Sequence, residues 1–507
     1  MHGIVNLSMK ISRYNNNINK DLMQALSSSR QIFKQIACSN ILQRALCSSP
    51  ATEEKLWQSA IYRLKASNLD DQVLPEIHRK FNQVIGSDAV TKKDIQNGIY
   101  QFYNQLSKHH KVSFLALLYN SLQVTTNEAL GSNEGNSKIP LYQWIFQQMK
   151  YDSEGVKFLI DCRAALLDHV RKNKNFGSIE IPAMEKSLKS ILREYFATEH
   201  LKVRTVRKDD DKDLKEKLIE YEAVHAYRDD NDLEQRIGLN RRCFILTHNQ
   251  LPGEPLAILH TELTDKTTGN IHDIIDRSTN EKERIERILV AIFYSVSVTN
   301  KGLSGFQFGQ YIIKKAVGQL QEEFPRLREF FTLSPIPGFR KWLLNELRKK
   351  DKSQYFGLMQ RIQNTLNKDG VAMNVPGMLE LLQSKDWQAD KESVIIQGLK
   401  ETLLPLCACY LTLERNRNRA INPVANFHIG NGACIYRLNW LADLTNNGMQ
   451  SSLGIMVNYQ YILKEMQYHT QRYYEHGQIG VSNSIHDYIE GSCPVNKPYY
   501  IARKSKL

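Results

Sequence analysis

Leu289-Val290-Ala291-Ile292-Phe293-Tyr294-Ser295-Val296-Ser297-Val298 is followed three residues later by Gly302-Leu303-Ser304-Gly305-Phe306-Gln307-Phe308-Gly309-Gln310. The first stretch is rich in β-branched and aromatic residues and reads as a strand. The second leads straight into a segment whose apolar residues Ile312, Ile313, Ala316, Val317 and Leu320 recur at helical spacing. Strand, glycine loop and helix in that order is the arrangement of a phosphate cradle, in which glycines let backbone N–H groups approach and the helix dipole favours anionic oxygens. The same order also occurs as a plain strand-to-helix turn. Lys314 and Lys315 admit the same two readings, as added charge for phosphates or as a solvated helix surface.

Outward from this stretch, the chain changes character near Glu199. Residues 51–199 carry helical apolar spacing: Phe158, Leu159, Cys162, Leu166 and Val170 share one face, as do Met184, Leu188, Ile191, Leu192, Tyr195 and Phe196. The loop Gly131–Ser137 interrupts them. His109 and His110 point in different directions on a helix and make a poor metal pair. The mixed run Lys208–Asp213 reads as a solvated helix start or linker. After it, Arg241–Thr247 and Pro255–Leu263 are β-rich and joined by Leu251-Pro252-Gly253-Glu254, a hairpin signal. Beyond Arg340 the pattern is helical to about Asn416; Ile435–Leu441 reads as a strand, Met456–Tyr461 ends the well-patterned region, and residues 466–500 are tyrosine-rich with little regular period.

Composition narrows the classes. With 507 residues, 42% hydrophobic and 24% charged, the chain suits more than one ordinary core. No run of about 18 uncharged apolar residues is present, which argues against a membrane span. A net charge of +13 favours an anionic partner or destination without choosing it. The eight cysteines show no zinc-type pairing and no nucleic-acid module accompanies the charge, so nucleic acid is not the expected partner. Residues 1–50 set six basic residues and eight serines against Asp21, the composition of a mitochondrial transit peptide or of a disordered basic tail. The end, Ser505-Lys506-Leu507, is a peroxisomal address preceded by Arg503-Lys504.

Two further stretches carry chemistry. In Thr332-Leu333-Ser334-Pro335-Ile336-Pro337-Gly338-Phe339-Arg340, two prolines forbid the preceding apolar run from continuing, so Ser334 lies at a stiff turn. It serves either as a cap for the next helix or as a held hydroxyl. The second stretch is Asn422-Pro423-Val424-Ala425-Asn426-Phe427-His428-Ile429-Gly430-Asn431-Gly432, just after Arg415, Arg417 and Arg419, which suit ligand phosphate or solvent. Together these stretches resemble the malonyl-CoA decarboxylase family, with its L-S-P-I-P-G-F turn and N-P-V-A-N-F-H segment. The resemblance runs from about Tyr221 to about Tyr461 and returns at the last three residues.

That resemblance implies an α+β chain: an N-terminal all-α helical bundle for assembly (51–199) and an acetyltransferase-like α/β catalytic domain (200–507). It implies conversion of malonyl-CoA to acetyl-CoA and carbon dioxide, linked to fatty acid metabolism. No metal or organic cofactor is expected, because the thioester is itself the electron sink. The implied catalytic residues are Ser334, His428 and Tyr461, with Ser334 on the malonyl carboxylate and His428 on the thioester oxygen and the proton. The implied CoA loop is Ser304, Gly305, Phe306, Gln307, Phe308, Gly309 and Gln310. Gln307 stands where the family's glutamate is expected, which keeps hydrogen bonding and loses a general base. Glu222 and His225 match a family segment without an evident role. The resemblance also implies a homo-oligomer, tetrameric in the family, and an import receptor at Ser505, Lys506 and Leu507, with mitochondrion, peroxisome and cytoplasm as destinations. An acyl-CoA N-acyltransferase of the same fold and an inert CoA-binding scaffold are the alternatives.

Overall fold

Of the opening stretch, Val290–Val298 forms a strand buried along most of its length, as a strand with neighbours on both edges and layers on both faces must be. The structure, a computed structural model, describes Lys55 and residues 92–125, 139–172, 180–251, 253–276, 287–360, 375–383, 394–490 and 498–502. The basic start 1–50, the loop Gly131–Ser137 and the Ser505-Lys506-Leu507 end lie outside the described residues. The chain divides into two compact units, Met1–Tyr195 and Phe196–Leu507.

The described residues of the first unit are mainly helical: α1 (Lys92–Gln105), α2 (Lys108–Ser121), α3 (Leu141–Met149), α4 (Ser153–Lys172) and α5 (Glu180–Tyr195). Ser107 starts α2 by accepting the His110 backbone N–H at 3.3 Å. Helices α2, α4 and α5 pack on one another around Phe114, Leu159, Leu166, Leu188 and Leu192. Arg163, buried with them, meets Glu185 at 2.8 Å. Val170, expected on the Phe158–Leu166 face, is instead 44% exposed, because it lies in the solvated basic last turn of α4.

In the second unit a sheet of ten strands runs β1 (Leu201–Thr205), β2 (Arg241–His248), β3 (Ala257–Thr264), β4 (Val290–Val298), β5 (Glu329–Thr332), with β6 (Ser334–Pro335) continuing from β5. Neighbours from β1 to β4 are antiparallel, and β4 and β5 are parallel. Parallel strands need a crossover, supplied here by the glycine loop and a 16-residue helix, Phe308–Glu323. Short helices flank the early strands: α6 (Lys212–Tyr221), capped by Asp211 within the mixed charge run, and α7 (Asp230–Arg236). With these labels the crossover helix is α8. Past β6 come α9 (Phe339–Arg348), α10 (Val375–Gln383) and α11 (Val394–Thr412), then the hairpin of β7 (Arg415–Asn416) and β8 (Arg419–Ala420). Then follow α12 (Pro423–Gly430), β9 (Cys434–Asn439), α13 (Asn446–Ser452) and β10 (Met456–Gln460). The segment that showed little period in sequence is regular after all: α14 (Met466–His476), β11 (Ile479–Val481), α15 (Asn483–Glu490) and β12 (Tyr499–Ile501). Its strands are three residues long, too short to show an alternation, and they complete the sheet order β5-β10-β9-β11-β12.

The sheet opens between β4 and β5. Their register runs from Val290↔Glu329 to Phe293↔Thr332, and Leu333 N–H still reaches the Phe293 carbonyl at 3.1 Å. Ser334 and Pro335 then pair with Val457 and Met456 of β10 instead. On the other side of the gap β4 has an extra residue: Thr261 opposes Phe293 and His260 opposes Ser295, leaving Tyr294 between them as a bulge. Below the gap, Ile292, Tyr294, Phe331, Leu333 and Met456 share one core cluster.

The turn out of β6 depends on Gly338, which caps α9 with φ +83° and whose Cβ position lies 3.1 Å from the Tyr410 hydroxyl. Gly338→Ala should therefore cost about 1–2 kcal/mol for the left-handed backbone, read as a lower urea midpoint with an unchanged slope. An unmoved midpoint would leave the two prolines alone responsible for the turn.

Candidate active site

Alternation along β5 and β6 sorts the side chains. Phe331 and Leu333 enter the core cluster, so Thr332 and Ser334 face the other way. Ser334 Oγ donates to Thr332 Oγ1 at 2.9 Å, and Thr332 Oγ1 also accepts the Tyr459 backbone N–H at 3.2 Å. The second stretch is held to the first by Asn422. Its Oδ1 accepts Ala425 N–H at 2.9 Å, capping α12 with Pro423 in the first turn. Its Nδ2 donates to the Pro337 carbonyl at 2.8 Å, beside the Tyr410 hydroxyl at 3.1 Å. One helical turn and a half later, α12 presents His428.

The structure brings Ser334, His428 and Tyr461 together. His428 Nε2 is 3.2 Å from Ser334 Oγ, and Nδ1 is 2.8 Å from the Tyr461 hydroxyl. The ring stacks on Tyr459 at 4.7 Å between centroids. All three are buried, His428 at 4% exposure. Burial pushes the imidazolium of His428 down to about 3 and the phenol of Tyr461 up, so both stand neutral. The contact allows the neutral phenol of Tyr461 to donate to His428 Nδ1. In that tautomer the imidazole proton is on Nε2 and faces Ser334 Oγ, which donates its own proton to Thr332.

The glycine loop lies close by. Gly305 adopts φ +81°, which favours glycine, and Ser304, Gly305 and Gln307 are exposed at the start of α8. Gln307 precedes the helix without a side-chain cap, which leaves the first N–H groups of α8 without a capping side chain. Phe306 and Gln310 are half-buried, while Phe308 and Gly309 are buried. Gly309 is thus a packing glycine: a Cβ there would meet the Phe427 ring at 2.8 Å and Val296 at 3.3 Å. It lets α8 approach the residue next to His428.

The structure places other candidates elsewhere. Arg419 binds the carbonyls of Tyr473 and Tyr474 and lies over both rings, and Arg415 binds the Pro498 carbonyl. Arg417 and Asn418 are the turn of the hairpin, both with positive φ. Arg419 thereby holds α14, and Arg415 the residue before β12. Glu222 is buried, accepting Ser295 Oγ at 2.7 Å and the N–H groups of Val224 and His225 at 2.8 and 2.9 Å, beside His260. Sequence reasoning missed Thr332, Tyr459 and Asn422. Asn422 before a proline is a helix-start signal that could have been read; the other two act only through strand pairing.

Ser334, His428 and Tyr461 thus form one buried, hydrogen-bonded cluster on a mixed α/β scaffold. Residues 141–497 match the family model for the malonyl-CoA decarboxylase C-terminal domain. A mitochondrial malonyl-CoA decarboxylase of Rattus norvegicus is 38% identical over 332 residues, covering 64% of this chain and 66%, just under two thirds, of that protein. One from Anser anser anser is 34% identical over 356 residues and 69% of each chain. The crystal structure of malonyl-CoA decarboxylase from Agrobacterium vitis aligns with TM-score 0.66 at 25% identity, over 82% of this chain and 99% of that one. That from Cupriavidus metallidurans aligns with TM-score 0.61 at 26%, over 85% and 100%. The chain belongs to the malonyl-CoA decarboxylase family.

The buried imidazole has a pH signature. With a native value near 3 and an unfolded value of about 6.5, only the unfolded state takes up this proton as pH falls between the two. Its contribution to stability is therefore full above about pH 6.5 and lost toward pH 3, by up to about 1.4 kcal/mol per pH unit. Denaturation of wild type and of His428→Asn at pH 7 and pH 5 should show the wild type losing more. Equal losses would mean that the native imidazole titrates normally.

Proposed function

We propose that this protein decarboxylates malonyl-CoA to acetyl-CoA and carbon dioxide, with Ser334, His428 and Tyr461 as its catalytic residues. The observation that supports the reading is the buried chain Tyr461–His428–Ser334–Thr332 around a neutral imidazole, and we take it to run from Tyr461 toward Thr332. With its proton on Nε2, His428 donates toward Ser334 and cannot serve there as the base that a serine nucleophile needs. The pair is suited instead to holding an anion and a developing enolate. Ser334 Oγ–H turns from Thr332 to the malonyl carboxylate, and His428 Nε2–H meets the thioester oxygen. As the C–C bond breaks, its electron pair passes into the thioester as an enolate and carbon dioxide leaves. The enolate carbon takes the Nε2 proton while Tyr461 passes one to Nδ1; after product leaves, a solvent proton reloads Nε2 as the Nδ1 proton returns to the Tyr461 oxygen, which restores the starting tautomer. Imidazolium never has to form in this dry site.

The exposed start of α8, with Ser304, Gly305, Gln307 and the backbone N–H groups of Phe308, Gly309 and Gln310, takes the CoA pyrophosphate. Gln307 contributes a hydrogen bond rather than a base, in keeping with a site in which no base is used. Residues 51–199 serve as a helical assembly bundle for a homo-oligomer, a tetramer as in the family, and 200–507 as the acetyltransferase-like catalytic domain. The mitochondrial names of the relatives and the basic start support a mitochondrial destination. Ser505, Lys506 and Leu507 support a peroxisomal one through its import receptor, and any untargeted fraction stays in the cytoplasm.

Purified protein should release carbon dioxide and acetyl-CoA from malonyl-CoA without any acceptor. Turnover only with an added amine would favour an N-acyltransferase of the same fold. Ser334→Ala and His428→Asn should each lower kcat by roughly 10² to 10⁴-fold with little change in KM. Because both serve one event, the double variant should lose much less than the product of the two. Near-normal kcat in folded His428→Asn would make that histidine a core residue. For targeting, imaging of the full chain, of a chain lacking residues 1–50 and of a chain lacking the last three should show each loss removing one destination; an unchanged pattern would deny that end its role.

A further inference from the structure

The sheet face away from His428 holds a cavity of about 900 Å³, within the second unit, between the loop after β3 and the residues Arg437–Trp440. Strand parity puts it there. Tyr459 lies against His428, so the neighbouring Asn458 turns to the other face. Its Nδ2 donates to the carbonyls of Thr332 at 2.7 Å and Thr268 at 3.2 Å, and its Oδ1 accepts Asn439 Nδ2 at 2.9 Å and Arg437 Nε at 3.2 Å.

The charges around the cavity nearly cancel, with one exception. Lys266 and Lys400 are exposed at its edge, as are Asp265 and Asp273. Glu262 is paired with Arg241 at 2.9 Å. Arg437 is half-buried and has no carboxylate partner among the described residues. Its Nε is fixed on Asn458 and its Nη2 lies toward Gly269, whose Cβ position is 3.1 Å away. Thr267 Oγ1, on the same loop, is buried without a hydrogen-bond partner. A partly desolvated guanidinium without a counter-charge is costly unless an anion comes to it, and its planar fork matches a carboxylate. The volume suits a small organic molecule, and Trp440 and Tyr488 provide ring surface for its body.

We propose that this cavity binds a small organic carboxylate on Arg437, and that its occupancy reaches Ser334 through Asn458 and Thr332. The route is continuous. A ligand that draws the guanidinium away relieves the Asn458 oxygen, and the same amide's nitrogen holds the carbonyl of Thr332, whose hydroxyl receives Ser334. The binding half stands on the cavity alone; the coupling half rests on the catalytic reading of Ser334.

The two halves are tested separately. Succinate is titrated calorimetrically into the full chain, with succinamide as the neutral control. Wild type should bind succinate and not succinamide, and Arg437→Met should bind at least tenfold more weakly. Lys400→Glu, an exposed change that leaves the fold alone, should weaken binding about threefold through added negative charge. His428→Asn should bind as wild type does. No binding by wild type, equal binding by Arg437→Met and Lys400→Glu, or loss of binding in His428→Asn would each overturn the site. For the coupling, saturating succinate should change wild-type kcat by twofold or more and leave that of Arg437→Met unmoved. Binding with an unchanged wild-type kcat would overturn the coupling and leave the site standing.

Discussion

One carboxamide holds the two halves of the site in register. Asn422 accepts an N–H at the start of α12 and donates to the carbonyl of Pro337 at the turn out of β6. The first bond sets where the helix begins, hence where His428 points. The second fixes that helix to the turn carrying Ser334. Neither Pro337 nor Pro423 has an N–H to donate, and a side chain with both a donor and an acceptor bridges the two segments. Asparagine supplies the pair. The cap is worth about 1 kcal/mol and a buried hydrogen bond a similar amount, small against a whole fold but concentrated where a shift of about 1 Å would separate Ser334 from His428.

Dryness is the second constraint. Tyr459 against one side of the imidazole and Phe427 next to it exclude water, and the resulting desolvation keeps His428 neutral. The same exclusion strengthens each hydrogen bond in the chain and raises the cost of leaving one unmade. Gly309 belongs to this constraint. By admitting Phe427 to the start of α8, it joins the wall of the site to the glycine loop. A glycine that reads in sequence as access for phosphates acts in the fold as space for an aromatic ring.

What could be read in the sequence was what depends on local order. The run Val290–Val298, the glycine loop and the face of α8 followed from composition and period, and Ser334 and His428 from two motif-bearing turns. Tyr461 was matched, though nothing in its own neighbourhood shows that its hydroxyl meets an imidazole 33 residues away. Thr332 and Asn458 act across strand pairings that no local pattern encodes. The two-residue β6 and three-residue β11 and β12 are too short to alternate visibly. Their order in the sheet comes from long-range pairing. Val170 fails for the opposite reason: its period is right, but the last turn of α4 is solvated.

The β10 strand shows why both faces of this sheet bear on the site. Successive residues point to opposite sides, so Tyr459 supports His428 while Asn458, one residue earlier, lies among Arg437, Asn439 and the loop at Thr268. The partner strand slips here: Asn458 opposes Arg437 and Tyr459 opposes Ile435, leaving Tyr436 as an extra residue. A bulge bends its strand and loosens the ladder, so the hydrogen bonds of Asn458 carry more of the local alignment than an unbroken ladder would ask of them. Thr332 is held from both sides of this point, its hydroxyl by Tyr459 N–H and its carbonyl by the Asn458 amide. The position of the Ser334 hydroxyl is thereby set by side chains on the face opposite to it as much as by those beside it.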